Sequence, residues 1–322
     1  MNANFLSGLT SLPQPKQHAA WLQAKRRQLK KLLGGFGSRA EPKPRALARR
    51  EEEELTITRV SYEAEAGEEI AALLLVPRGH TFPLPAVVCL HPHNDQYRLG
   101  KSEPAGLEGD PEQAFGRELC RRGYVTLCPD GPGFEERRIE EFSGPEQERF
   151  EAGRLLLQGS CLMAKLVWEV SSALDYLETR PEVDAGRIGC LGHGLGGAQA
   201  VFAASLEPRI KAAAASSGVS TYAALLRGNI LQPLAFYVPG LLTWGEVPEI
   251  VSMIAPRPFL IIGGKNDPDF PADGREAVYW AAHQLYQRLG AAEALERAVF
   301  EGGEEFSPER RARAYNWFDR WL

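Results

Sequence analysis

The chain has 322 residues, 44% hydrophobic and 25% charged, with a net charge of −5. This is the make-up of an ordinary globular protein, and it excludes low-complexity and disulfide-framework classes. No run of about 18 apolar residues occurs, so no spanning helix and no membrane partner are expected.

Compartment and cofactors follow from a few residues. Five cysteines is an odd number, and Cys89, Cys128 and Cys190 fall in predicted buried strands. They read as small core residues in a reducing cytoplasm. The start, Met1 to Ser7, lacks a basic n-region and an apolar h-region, which predicts no secretory signal. No C-x-x-C or His-rich spacing is present, so neither a metal nor another cofactor is expected.

Charge is unevenly spread. Residues 1–50 carry eleven Lys/Arg against Glu41 alone, leaving −15 for the rest of the chain. Such an arm could meet nucleic acid or an anionic surface, or dock on its own acidic domain. The second reading is favoured because Glu51-Glu52-Glu53-Glu54 follows at once and no DNA-reading motif is present. Residues 16–33 predict an amphipathic helix with Leu22, Leu29, Leu32 and Leu33 on one face, stopped by Gly34-Gly35. Residues 36–50, with Pro42 and Pro44, read as a linker. The organisation is therefore an N-terminal helical arm and linker over 1–50, then one domain over 51–322.

Within that domain, Leu55 to Tyr62 and Glu69 to Val76 alternate and predict an antiparallel hairpin around Ala66-Gly67. Apolar strands then alternate with helices. The strands are Ala86 to Leu90, Tyr124 to Cys128, Ile188 to Leu191, Ile210 to Ala215, Phe259 to Ile262 and Glu296 to Phe300. The helical patterns include Glu112 to Arg122, Leu162 to Thr179, Glu276 to Leu289 and Pro308 to Leu322. This predicts an α/β fold, a mostly parallel sheet with helices on both faces. Residues 218–247 break the alternation and read as a small cap insertion. Its aromatic residues Tyr222, Phe236, Tyr237 and Trp244 could shape a pocket for a small organic ligand or merely pack the insertion down.

The chain is organised around Arg187 to Ala198. A short apolar strand ends in Gly192-His193-Gly194-Leu195-Gly196, and a small-residue helix follows. This is the strand, tight turn and helix of a nucleophile elbow, in which flanking glycines let one strained residue stand clear. The sequence resembles the α/β-hydrolase superfamily here, and within it the esterases related to dienelactone hydrolase and acetyl xylan esterase. The likeness extends over about residues 55–322. Leu90-His91 resembles the oxyanion loop, and Gly123 to Asp130 the next strand and turn. Pro256 to Ile262 leads to Asp267, where the family keeps its triad acid. Gly302-Gly303-Glu304-Glu305-Phe306 stands where the family reads Gly-His-x-Phe. The triad-like positions thus hold Gly194, Asp267 and Glu304, so two of the three depart from the pattern.

Gly194 has no side chain to form an acyl-enzyme, and Glu304 beside Asp267 predicts that one carboxyl pKa rises, with a proton shared between them. Oxyanion donors would be the Leu195 N–H and, since Pro92 has none, the His93 N–H. His91, His93 and His193 are candidate acids or bases. His91 and His193 read first as braces of the loop and elbow, His93 equally as either. Ser216, Ser217 and Cys161 are candidate replacement nucleophiles. These residues favour a small-molecule enzyme repurposed from the esterase frame as a lyase, isomerase, cyclase or atypical hydrolase. The alternative is a pseudoenzyme that binds a ligand or protein; a third reading is an ester hydrolase with a replacement nucleophile. A small-molecule ligand and possible self-association are the expected partners.

Overall fold

The apolar runs pair as strands in the computed structural model, which describes residues 12–35, 41–65 and 67–322. Among these residues one sheet carries nine strands. They are β1 (Arg45–Glu51), β2 (Leu55–Glu65), β3 (Glu68–Pro77), β4 (Leu84–Leu90), β5 (Val125–Pro129), β6 (Val183–His193), β7 (Ile210–Ser216), β8 (Phe259–Gly264) and β9 (Leu295–Phe300). Their order is β1-β2-β3-β5-β4-β6-β7-β8-β9. The first three strands and the β3–β5 pair are antiparallel, and every pair from β5 to β9 is parallel. The hairpin forms as expected; Gly67 sits at its turn with φ 82°, while Ala66 lies outside the described residues.

The helices are α1 (His18–Leu32), α2 (Phe115–Arg121), α3 (Gly144–Leu157), α4 (Leu162–Glu178), α5 (Leu195–Leu206), α6 (Tyr222–Arg227), α7 (Leu241–Trp244), α8 (Val247–Ser252), α9 (Ala272–Arg288) and α10 (Pro308–Trp321). Strand residues alternate between faces, so each face of the sheet builds its own core. Val88 and Leu90 join the larger core with α4, α5, α8 and α9, whereas Val87 and Cys89 join the smaller one with α2 and α10. All five cysteines are free and buried. Among the described residues no helix is long and apolar enough to cross a membrane.

The arm docks through the stripe expected of it. Leu29 and Leu33 are fully buried in the larger core, with Leu22 and Leu32 partly buried against it. Arg26 Nε donates to the Ser205 carbonyl at 2.8 Å, and Ser160 donates its hydroxyl to the Leu33 carbonyl at 3.0 Å.

Two segments differ from expectation. The stretch read as a linker is partly strand: Arg45–Glu51 pairs with the free edge of β2, while residues 36–40 lie outside the described ones. All seven residues of β1 are exposed, so no apolar pattern announced it. The helix α3 was not expected either, because its helical face is mostly polar. Between β7 and β8, residues 218–247 hold α6, the short turn Leu234–Phe236, α7 and the first residue of α8.

Candidate active site

The elbow between β6 and α5 is built by close approach. A Cβ on Gly192 would lie 2.0 Å from the Gly196 carbonyl, and one on Gly196 would lie 2.2 Å from the Leu90 carbonyl. Only glycine fits at either position. Gly194 is different: its φ of 56° and ψ of −116° are strained for a side chain, yet its Cβ would meet only Pro92 Cβ, at an ordinary 3.7 Å. The turn position at Gly194 therefore has room and holds no side chain. Leu195 opens α5, and an N–H at that place has no acceptor inside the helix.

Gly194 and Leu195 border a cleft of about 600 Å³ with His93, Glu148, Phe236, Asp269 and Glu304. Burial pushes Glu304 up to a pKa of about 7, helped by the charges of Asp269 and Asp267 and by a hydrogen bond with Asp269. Burial and the Asp267 charge raise Asp269 as well, but the shared hydrogen bond acts in the opposite sense there. The proton of the pair accordingly rests on Glu304. A raised carboxyl was expected from Glu304 beside Asp267. The partner bonded to Glu304 is Asp269, which the sequence reading passed over.

Asp267 is anchored behind the cleft. Its Oδ2 accepts the Ser217 hydroxyl at 2.8 Å, and its Oδ1 accepts the N–H groups of Asp269 at 3.0 Å and Phe270 at 2.9 Å. It does not line the cleft. It holds the loop that presents Asp269 and adds a negative charge behind it.

Of the three candidate histidines, only His93 reaches the cleft. Its Nδ1 accepts the Asp95 N–H at 3.2 Å, and its Nε2 lies 3.5 Å from Glu148. Burial opposes the charge of Glu148, but the neighbouring His93 ring and the hydrogen bond from the Tyr97 hydroxyl at 2.8 Å outweigh it and hold the carboxyl below its ordinary range. The second oxygen of Glu148 accepts the Leu234 N–H at 2.7 Å, which ties α3 to the cap.

His193, expected among the catalytic residues, is turned into the core. Its ring stacks on Phe306 at 5.3 Å and its Nδ1 meets the Ser216 hydroxyl at 3.1 Å. Burial pushes its pKa down to about 4, so it stays neutral. His91 is likewise a brace: Nε2 accepts the Gly131 N–H at 2.9 Å, Nδ1 meets the Pro92 carbonyl at 2.7 Å, and burial lowers its pKa to about 4. None of Ser216, Ser217 and Cys161 lines the cleft, and burial raises the Cys161 thiol.

Of the four cap aromatics, Phe236 lines the cleft. Tyr222 stands behind it, donating its hydroxyl to the Phe236 carbonyl at 2.5 Å. Tyr237 is 43% exposed and outside the lining. Trp244 faces the arm, donating to Gln28 at 3.2 Å beneath the Lys25 ammonium. Glu148 and Arg149, on α3, went unnoticed. Ser143 and Glu146 form a capping box, and that S-x-x-E spacing was the signal that could have found the helix.

A possible metal position lies elsewhere. Asp130, Glu135 and Glu136 bring carboxylate oxygens within 4.8 Å of one another. The Lys101 ammonium sits 2.7, 2.5 and 2.8 Å from them, so a cation of the chain itself already occupies that place.

An elbow at the carboxyl end of β6, with the cleft over it and the acid loop after β8, defines the class: this is an α/β-hydrolase fold. The fold is matched by a candidate acetyl xylan esterase from Bacteroides fragilis NCTC 9343, with a TM-score of 0.74 at 17% identity over 89% of this chain and 76% of that one. A glucuronoyl esterase from Solibacter usitatus matches with a TM-score of 0.72 at 13% identity over 94% of this chain and 93% of that one. The dienelactone hydrolase family model matches residues 70–287. YtaP of Bacillus subtilis (strain 168), named as a candidate hydrolase, is 31% identical over 92% of this chain and 99% of its own length. The chain belongs to the dienelactone hydrolase family.

That membership corrects the functional expectation. A lyase, isomerase or cyclase, or a binding protein without catalysis, was expected from Gly194, from Glu304 and from the carboxylates and histidines around them. The family and its relatives carry the names of hydrolases and esterases, and those readings fall.

Proposed function

We propose that the protein is a hydrolase of small esters in which the Glu304–Asp269 pair, with no serine nucleophile, activates water directly. The observation that carries this reading is a carboxyl with a pKa of about 7 lining the same cleft as the open position at Gly194. A base titrating near the working pH is both available and strong enough to take a proton from water. Ionised Glu304 accepts a proton from the water as its oxygen attacks the ester carbonyl, and the carbonyl electron pair moves onto oxygen. The N–H groups of Leu195 and His93 receive that oxyanion. The tetrahedral carbon then expels the alkoxide, which takes the proton from Glu304, leaving acid, alcohol and an ionised base. Asp269 raises the proton affinity of Glu304 and holds it by the shared hydrogen bond. The buried free cysteines support a cytoplasmic location.

The test is a rapid-mixing assay with a small activated acetate ester in 18O-labelled water. Direct attack gives no burst of alcohol, single 18O incorporation into the acetate, and no labelling by a serine-directed fluorophosphonate. Stoichiometric labelling at any serine overturns the mechanism.

A further inference from the structure

The cleft combines an excess of carboxylates with aromatic walls. Asp95 from the loop after β4, Glu148 from α3, Asp269 from the loop after β8 and Glu304 from the loop after β9 all border it, with Asp267 close behind. Arg149 is the one Lys or Arg among the lining residues. Asp95 is 91% exposed by side chain, and Glu148 keeps its charge through the nearby His93 ring and the hydrogen bonds of the Tyr97 hydroxyl and the Leu234 N–H. The rings of Phe236 and Phe270 stand 5.7 Å apart on the lining, and Tyr97 completes the aromatic contribution. Resting on the hydrolase reading above, we propose that this cleft selects esters carrying an ammonium group and rejects esters carrying a carboxylate of their own.

Two physical effects act together. A cation placed among carboxylates at several ångströms is attracted in a site of reduced dielectric, and an anion there is repelled to a similar degree. A quaternary or protonated ammonium also gains from aromatic faces, whereas a carboxylate is repelled by them. The Glu304–Asp269 pair amplifies the discrimination. Burial and the neighbouring carboxylates keep the proton on Glu304; a nearby cation stabilises the ionised form, so cation binding releases a proton and leaves the base charged. An additional carboxylate does the reverse and silences the base. One charge on the substrate thus changes both its binding and the state of the group that attacks it.

Three esters of matched size separate the outcomes: acetylcholine, 3,3-dimethylbutyl acetate and 3-acetoxypropanoate, which are cationic, neutral and anionic. Expected kcat/KM falls in that order, by about tenfold per step. The spread should shrink when ionic strength rises from about 0.02 to about 0.5 M. Asp95→Asn should narrow it and Arg149→Gln should widen it. Calorimetric titration of the same protein with choline, 3,3-dimethylbutanol and 3-hydroxypropanoate gives the order without turnover, and in two buffers of different ionisation heat it reports the proton released with choline. Equal affinities, or the anion binding best, overturn the proposal. If none of the esters is hydrolysed while choline still binds best with proton release, the hydrolase reading fails and the charge selectivity stands.

Discussion

Glu304 and Asp269 share a side-chain hydrogen bond at the cleft, and the proton of that bond belongs to Glu304. The activity should therefore rise with pH as Glu304 ionises and reach half its limit near pH 7. Asp269→Asn removes the neighbouring charge, so the midpoint should move to lower pH. Glu304→Gln should cost about 10²- to 10⁴-fold in kcat, the usual worth of a general base, with a smaller effect on KM. A pH–rate profile of the three proteins checks all of this.

The same group makes stability depend on pH. The folded pKa of Glu304 lies above its ordinary value, so the folded state binds the proton more tightly than the unfolded one. Its contribution is complete below the ordinary carboxyl range and is lost as pH climbs through about 7. Glu304→Gln keeps a neutral side chain at every pH. The variant should gain in melting temperature relative to the parent between pH 5 and pH 8, and a difference that stays constant would remove Glu304 as the source.

A serine triad should be recoverable. Gly194→Ser fits the space beside Pro92, at a backbone cost of about 1–3 kcal/mol for a side chain at φ 56°. Paired with Glu304→His, it restores the chain order Ser, Asp, His around Asp267 or Asp269. The double variant should show an acyl-enzyme burst and fluorophosphonate labelling. Glu304→His alone should show neither, because its base has no nucleophile side chain to activate.

The arm contributes to stability through its buried leucines. Leu29 is fully buried in the larger core, and Leu29→Ala should cost about 2–5 kcal/mol. Denaturant unfolding of this variant beside exposed Lys31→Ala, expected to be near neutral, separates packing from the charge of the arm.

Lys101 compensates three carboxylates in a buried place, and Asp130 among them is pushed up to about 7, chiefly by burial. Lys101→Met removes the cation shared by all three, leaving Glu136 only Arg59 and Asp130 no cationic side chain, and should cost about 3–5 kcal/mol at neutral pH. Protonation relieves the repulsion, so the loss should shrink as pH falls, which a chemical-denaturation series at several pH values reads directly.

Several features followed from local pattern alone. The alternation of β2 and β3, the apolar runs of β4 to β8 and the glycines at 192 and 196 are governed by short-range periodicity and close backbone approach, so the fold and its elbow were legible. So was the stripe of α1, because Leu29 and Leu33 lie on one helical face. What remained hidden depends on partners remote in sequence. β1 has no buried face and forms because β2 offers an unpaired edge. His193 points into the core because Phe306, more than a hundred residues away, supplies the ring it stacks on. Asp269 meets Glu304 through a loop that Ser217 and Asp267 hold from behind. Glu148 reaches His93 from a polar helix whose direction no periodicity specifies. Residue order and spacing determined the scaffold and the position of the elbow. Tertiary packing decided which titratable groups meet in the cleft, since a pKa near neutrality arises from burial and from charges brought together in space.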